Sequence, residues 1–535
     1  MTIKNITLLA LLFWCAKAQA QGIIEQATIE IGAESKSKTA PKLEQIAHQT
    51  DQYIYLIKSQ YAPALSNLLV EQYDMDLNLV ASNPLAFENK ELKQPTWEKA
   101  FVSSNGQLYV LYSKKDKNIE GNRYYKRSFN EDSLQFDVAE TSVGSIEYAE
   151  KVGRTSFEVK QSSDKRRFLI YSALDNTVNK CETFGLHVLD ENLDSLWQKQ
   201  VEMPYTNQAF RVEQCEVDNE GNCYIIGRME KEGRESRELK KNGKATYDYR
   251  VLKYRHNQEV PEEYTIDLGG YFLTDMEIAI QKNGNIVGAG LYSGADTLSA
   301  WGSFGLTINT KTNTVENKKL SKFDLDLVIN DFKKSAQNKI RKKQEAGQIY
   351  STLNNYRINA LVIKKDGGVQ LVAEQHYTFY TAYSSTEGDN KHGVYNDILV
   401  IDMDSLNQVN WITRIPKRQT AIENSPSTPS YSYKMLEKKE QLYFVFNENC
   451  KNFKNTRKIR KGKRHLLNYT TGHAIPTIVE LDARGKQSRW KLYDNNEPDW
   501  RLSIMKGIIT DEGQLLFSTF LGTTGRSRLV RIELK

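Results

Sequence analysis

Eight times along the chain an apolar stretch meets a short polar turn, resumes as a second apolar stretch, and is followed by a further strand pair. The turns fall near Asp51, at Asn105-Gly106, near Asp164, at Asp218–Gly221, at Asn283-Gly284, at Asp366-Gly367, at Glu437–Glu440 and at Asp511–Gly513. Asn, Asp and Gly tolerate the left-handed backbone that short hairpin turns need. The Glu437–Glu440 turn does without a glycine. After each turn the residues are apolar in succession: Tyr53–Ile57, Leu108–Tyr112, Phe168–Tyr171, Cys223–Ile226, Ile286–Ala289, Val369–Ala373, Leu442–Phe446 and Leu515–Phe517. A strand with one solvated face alternates, so continuous apolarity calls for cover on both faces. Four-stranded sheets packed between neighbours in a ring supply that cover. The pattern predicts an all-β chain folded as a β-propeller of eight blades. Seven blades and a split pair of β-sandwiches are the alternatives. Gly227, Gly288, Gly290 and Ala373 follow or interrupt these strands and are read as letting adjacent sheets approach closely.

The ends of the pattern fit each other. Trp500–Lys535 provides three strands and stops, while Ile23–Ile31 is a spare strand at the other end. Pairing the two would close the ring within one blade, leaving 21–535 as one domain without exposed sheet edges at its seam. Trp197, Trp411 and Trp490 recur in the last strand of their units, and are read as packing on neighbouring blades rather than as ligand-stacking platforms.

Residues 1–20 read as a secretory leader: Lys4, an apolar run over Ile6–Ala16, then Ala18-Gln19-Ala20 as the cleavage pattern. Lipidation at Cys15 is disfavoured by Trp14 before it. No other apolar run is long enough for a membrane helix. The expected location is periplasmic, extracellular or cell-surface. Tyrosine is abundant at 29 and proline scarce at 11, which favours strands. A formal charge of +6 over 535 residues is mild and does not itself call for a polyanion such as nucleic acid. Cys181, Cys215, Cys223 and Cys450 are too few for a disulfide scaffold, and no Cys/His spacing suggests zinc. In the hairpin register expected here, Cys223 faces Glu216 rather than Cys215.

Two insertions break the repeat. Leu325, Val328, Ile329, Phe332, Ala336 and Ile340 fall at helical spacing, predicting an amphipathic helix over 324–346 that caps the ring. Its other face carries Lys333, Lys334, Lys339, Arg341, Lys342 and Lys343. The second insertion, 451–465, holds Lys451, Lys454, Arg457, Lys458, Arg460, Lys461, Lys463 and Arg464 with no acid. Such a block is ordinarily solvated; if it binds, its partner is an anionic polysaccharide or a lipid headgroup, in a salt-sensitive way.

The sixth unit is the most distinctive. It carries Asp366, Gly367, Gly368, Glu374, Gln375 and Tyr377, then Tyr395, Asn396, Asp397 and Ile398, then Trp411, Ile415, Pro416 and Lys417. Over about 60 residues this resembles a family of uncharacterised exported bacterial β-propeller-like proteins. The family has no assigned activity, so the resemblance implies a fold and a location but no mechanism. Glu374, His376, Tyr377 and Asp397 fall at strand ends, where a propeller mouth lies. Glu374 and Asp397, with His376 nearby, are candidates for acid/base cleavage of a glycoside if suitably separated. The plainer reading is hydrogen bonding between strands. Nucleophile-elbow, HExxH, phosphate-loop and calcium-loop patterns are missing, and no metal or cofactor is expected. Two functions follow: a non-catalytic binding or scaffolding propeller holding an envelope protein or glycan, and, alternatively, a carbohydrate-active hydrolase or lyase with carboxylates in the propeller mouth.

Overall fold

The computed structural model describes residues 22–535, apart from 25–26, 37–41, 60–67, 86–95, 104, 117, 120, 148–156, 176–180, 207, 330–331, 333, 348–351, 382–389, 424, 426–427, 454–464, 469–473, 493–500 and 521–525. Residues 1–20, where a leader is expected, and most of the basic insertion therefore lie outside the described residues.

Antiparallel pairing sorts the described strands into eight radial sheets of four to six strands, with two short two-stranded pairs beside them. Blades 1 to 7 occupy 42–84, 96–147, 157–206, 210–266, 272–322, 356–422 and 434–491. Blade 8 combines 501–534 with the N-terminal strand Ala27–Ile31, which pairs antiparallel with Leu529–Leu534 in the register Ile29↔Ile532. The first and last described strands of the chain thus share a sheet.

Alternate residues of each second strand explain why these strands are apolar throughout. In blade 1, Tyr55 and Ile57 join a core shared with blade 2 through Val110 and Tyr112. Ile54 and Leu56, pointing the other way, join Leu516 and Leu529 of blade 8. The same partition recurs at every junction, so each of the eight pairs of adjacent blades has its own buried cluster. Eight junctions between eight blades leave no gap in the ring, and the seven-blade and two-sandwich alternatives fall away.

Hairpin turns join first to second and third to fourth strands on one face of the ring. Gly106, Gly221, Gly284, Gly367 and Gly513 hold the positive φ that the first set of turns needs, and Lys165 and Glu440 do so without being glycine. Connections from second to third strand, and from blade to blade, open on the opposite face. All the long insertions are there.

Three expectations are corrected. Cys223 pairs with Val217, and Glu216 with Tyr224, so the register is one residue from that expected. The four described cysteines are free thiols. The close approach at Gly227 lies within a blade, because a Cβ there would sit 2.1 Å from the Phe210 ring of the neighbouring strand. The insertion at 324–346 is helical but divided into Leu325–Ile329 and Lys334–Glu345. The Phe332 N–H returns to Ile329 O at 2.8 Å and ends the first helix. Ile329 is buried, whereas the second helix buries no residue. A further helix, Gly233–Lys241, escapes a reading by apolar spacing because it too buries nothing.

Candidate functional site

Blade 6 has the longest strands of the ring, Val369–Thr381, Asn390–Met403 and Val409–Ile422. Its distinctive residues meet where these strands change register. Pro416 has no N–H to give the ladder, and Pro in a sheet is confined to edges and bulges. The pairing of the third and fourth strands shifts here, between Asn396 and Ile398, and that of the second and third shifts between Glu374 and His376. Asp397 falls in the first shift and its Oδ1 accepts the Lys417 N–H at 2.9 Å. Its Oδ2 lies 3.5 Å from Arg414 Nε.

Glu374 and Asp397 are therefore brought together through Lys417. The Lys417 side chain is 1% exposed and gives all three of its protons away: to Glu374 Oε1 at 2.6 Å, to Tyr395 O at 2.8 Å and to Gln419 Oε1 at 3.1 Å. Glu374, 2% exposed, accepts the Ser432 hydroxyl at 2.8 Å on its other oxygen. Gln419 extends the network into blade 7 by donating to Asn447 O at 2.7 Å. Burial pulls the Lys417 ammonium below its ordinary pKa, against the pull of Glu374 beside it. Next to this pair is a second buried one, Arg489–Glu448 at 2.7 Å, whose guanidinium also donates to Pro416 O at 2.8 Å. Removing one member of such a pair strands the other charge, which costs about 3–5 kcal/mol. The arrangement locks blade 6 to blade 7.

His376 stacks on Tyr395 with ring centroids 4.6 Å apart, and burial lowers its pKa. Its Nε2 is buried without a hydrogen-bond partner. Tyr377, Phe379 and Tyr380 beyond it are exposed. Of the basic insertion, Lys451 is described and exposed; Lys454, Arg457, Lys458, Arg460, Lys461, Lys463 and Arg464 lie outside the described residues. The two ends of that insertion are clasped: Asn452 donates to His465 O at 3.1 Å and accepts the His465 N–H at 2.7 Å. Trp197 and Trp411 each bond a turn carbonyl of the next blade, Gly221 O at 3.1 Å and Ala483 O at 3.0 Å, and Trp490 packs in the core between blades 7 and 8. All three serve packing.

A second polar cluster lies on the first strands, around the ring's axis. Lys160 of blade 3 pairs with Glu216 of blade 4 at 3.2 Å. Gln214 of blade 4 bonds both Glu216 and Glu277 of blade 5. Asp275 of blade 5 accepts the Ile358 N–H of blade 6 at 2.8 Å. Glu216 and Glu277 line a cavity of about 740 Å³ at the turn face, with Lys253, Lys282 and Leu361 among its walls. Burial, and then the charge of Glu216, push Glu277 up to about 7. These residues went unnoticed in sequence, where their one signal is an acid alternating with apolar residues in a first strand, as in Asp275–Ile278. Among the described residues no group of three or more His, Cys, Asp or Glu is placed to hold a metal, and no helix is long and apolar enough to cross a membrane.

No protein-family model and no curated protein matches this chain. Among solved structures it is similar to the Dos1 propeller, at 10% identity over 94% of each chain with a TM-score of 0.42. It is also similar to the polysaccharide lyase Uly1, at 10% identity over 96% of this chain and 94% of that one, with a TM-score of 0.39. A third is the β-propeller domain of the Trilobed protease from Pyrococcus furiosus, at 10% identity over 87% of this chain and 98% of that one, with a TM-score of 0.34. Likeness this distant carries no functional argument.

Proposed function

We propose that the chain is an exported binding or scaffolding propeller of the cell envelope that holds a glycan or protein partner on its loop face. One observation carries this reading. Glu374, the carboxylate best placed by sequence for chemistry at the mouth, is buried and bonded on both oxygens, to Lys417 and Ser432. A carboxylate so held positions blades, and at 2% exposure it is closed to a substrate. The exposed aromatic arm of blade 6 and the two described ends of the basic insertion, at Lys451 and His465, belong to the same face, and with the charge of the insertion's sequence favour an anionic polysaccharide as partner. The carbohydrate-active alternative keeps one observation in its favour, the raised carboxyl of Glu277 beside Glu216 in a cavity.

One experiment separates the two. The full chain is incubated with acidic envelope polysaccharide, and both co-sedimentation and new chain ends are measured. Association that weakens with salt, is lost when Lys451, Lys454, Arg457, Lys458, Arg460, Lys461, Lys463 and Arg464 are replaced by glutamine, and leaves the polymer intact is the expected outcome. Cleavage that Glu277→Gln abolishes would replace this reading with the enzymatic one. Association unchanged by the glutamine set and by salt would remove the basic insertion from it.

A further inference from the structure

Blade 4 carries a cross-strand row at its turn end. Pairing sets Glu216 beside Tyr224, and Tyr224 beside Lys253, on the first, second and third strands. Tyr224 packs in the core shared with blade 5, so the row faces that blade. Glu216 and Lys253 both line the cavity of about 740 Å³ at the turn face. Cavities of this size hold small ligands. The turns of blades 3 to 6 on this face are described throughout.

Lys253 is the anomaly in this row. It is 5% exposed, yet its ammonium finds no hydrogen-bond acceptor among the described residues and lies over the Tyr224 ring, 5.3 Å from the centroid. The acids whose charge reaches it are engaged elsewhere. Asp218 accepts the Glu220 and Asn222 N–H groups on one oxygen, and Asn222 Nδ2 and the Tyr224 hydroxyl on the other. Glu262 takes Arg255 Nη2 at 2.9 Å and the Tyr264 hydroxyl at 2.8 Å. Glu220 is exposed and accepts Asn222 Nδ2 at 3.3 Å. Buried charges are as a rule paired, because an unpaired one is costly. The axial end of the cavity has the complementary surplus. Glu216 Oε1 accepts Lys160 Nζ and Gln214 Nε2, and Glu277 Oε1 accepts Gln214 Nε2, while the second oxygen of each carboxyl meets no donor among the described residues. Ile280, Leu361 and Ile363 add an aliphatic wall from blades 5 and 6, and Ile363 is 38% exposed.

From this arrangement we infer that the turn-face cavity binds a short peptide of two or three residues with free ends, its C-terminal carboxylate on Lys253 and its N-terminal ammonium on Glu216 and Glu277. The spacing fits. Neighbouring strands lie about 4.8 Å apart, so Glu216 and Lys253, on the first and third strands, are about 10 Å apart at the backbone. Two or three extended residues span about 7–10 Å. A single amino acid carries both charges on one carbon and does not reach both ends. A neutral saccharide leaves the Lys253 charge unanswered, and a multivalent anion meets the carboxylates of Glu216 and Asp218. An apolar peptide side chain has Leu361 and Ile363 to lie on. The ammonium also relieves the charge of Glu216 that, after burial, holds Glu277 up at about 7. The inference concerns the turn face and does not rest on the loop-face partner proposed above.

The test is isothermal titration calorimetry on the full chain with the tripeptide Ala-Leu-Ala, its N-acetylated and C-amidated forms, and a neutral trisaccharide. The free tripeptide should bind with a Kd below about 1 mM, and capping either end should weaken it about ten-fold or more. Lys253→Met should cost the free tripeptide the same factor and leave the amidated one unchanged, since both changes remove one contact. This variant should fold with a urea midpoint no lower than wild type, because it removes a buried charge without stranding a partner. Glu277→Gln should likewise weaken the free tripeptide and spare the acetylated one. No binding of the free tripeptide up to about 10 mM would overturn the inference. So would binding indifferent to both caps, or a trisaccharide that binds and is lost in Lys253→Met.

Discussion

Glu277 shows how much one buried side chain can do here. Its carboxyl titrates at about 7 in the folded ring, because burial and the Glu216 charge oppose ionisation, against about 4.5 in an unfolded chain. Between these values the native state holds a proton that the unfolded state has released. Stability must then fall as pH rises from about 4.5 to 7, with the full cost, about 3 kcal/mol at most, present above that window. His187, pulled down to about 4 by burial, acts with the opposite sign as pH rises from about 4 to 6.5. The difference between wild type and Glu277→Gln isolates the carboxyl. Urea denaturation should find the two equal near pH 4.5 and the variant about 1–3 kcal/mol more stable at pH 8; a difference that does not change with pH would contradict this. Neither Glu277 nor the Glu374–Lys417 pair could be placed from sequence. Their partners are set by strand register, and in blade 6 that register shifts twice within a few residues of the pair.

At the scale of the element, the turns divide into two kinds. First-to-second strand turns were legible because their Asn-Gly and Asp-Gly pairs carry the left-handed backbone openly. Third-to-fourth strand turns carry theirs openly in blades 5 to 7, at Asn313, Asn407 and Gly485, but hide them in blades 1 to 3, where Leu77, Leu134 and Leu193 hold positive φ and are buried. Each packs in the junction with the preceding blade, Leu193 against Phe168 and Tyr124. A leucine in this conformation costs about 1–2 kcal/mol, so only a larger packing gain explains it. Removing a buried leucine side chain costs about 2–5 kcal/mol. Leu193→Gly should accordingly destabilise the protein by about 1–3 kcal/mol in chemical denaturation, despite relieving the backbone. Asn313→Gly, at an exposed turn residue with φ 60°, should be near neutral. Equal effects at the two sites would show that the leucines do not clamp one blade to the next. The divided helix at 324–346 was misread for a related reason: apolar spacing reports a face, and only Leu325–Ile329 has a core to set it against.

For the whole molecule, the eightfold recurrence was enough to reach the ring, because doubly covered strands in regular succession have few other ways to be buried. Function was less legible, since the residues that break the repeat in blade 6 turn out to join blades. Everything else depends on closure. The seam is made by Ala27–Ile31 on Leu529–Leu534, supported by the Arg531–Glu30 ion pair at 2.8 Å and by a core that runs from Ala27 and Ile29 into blade 7. An open ring would leave Leu529–Leu534 as an exposed edge. Amide hydrogen exchange on the full chain is the direct measurement. Residues 27–31 should exchange as slowly as the buried strand Leu515–Phe520, and deleting them should release protection along 529–534. Exchange of 27–31 within seconds, at the rate of a free chain end, would contradict a closed eight-bladed ring.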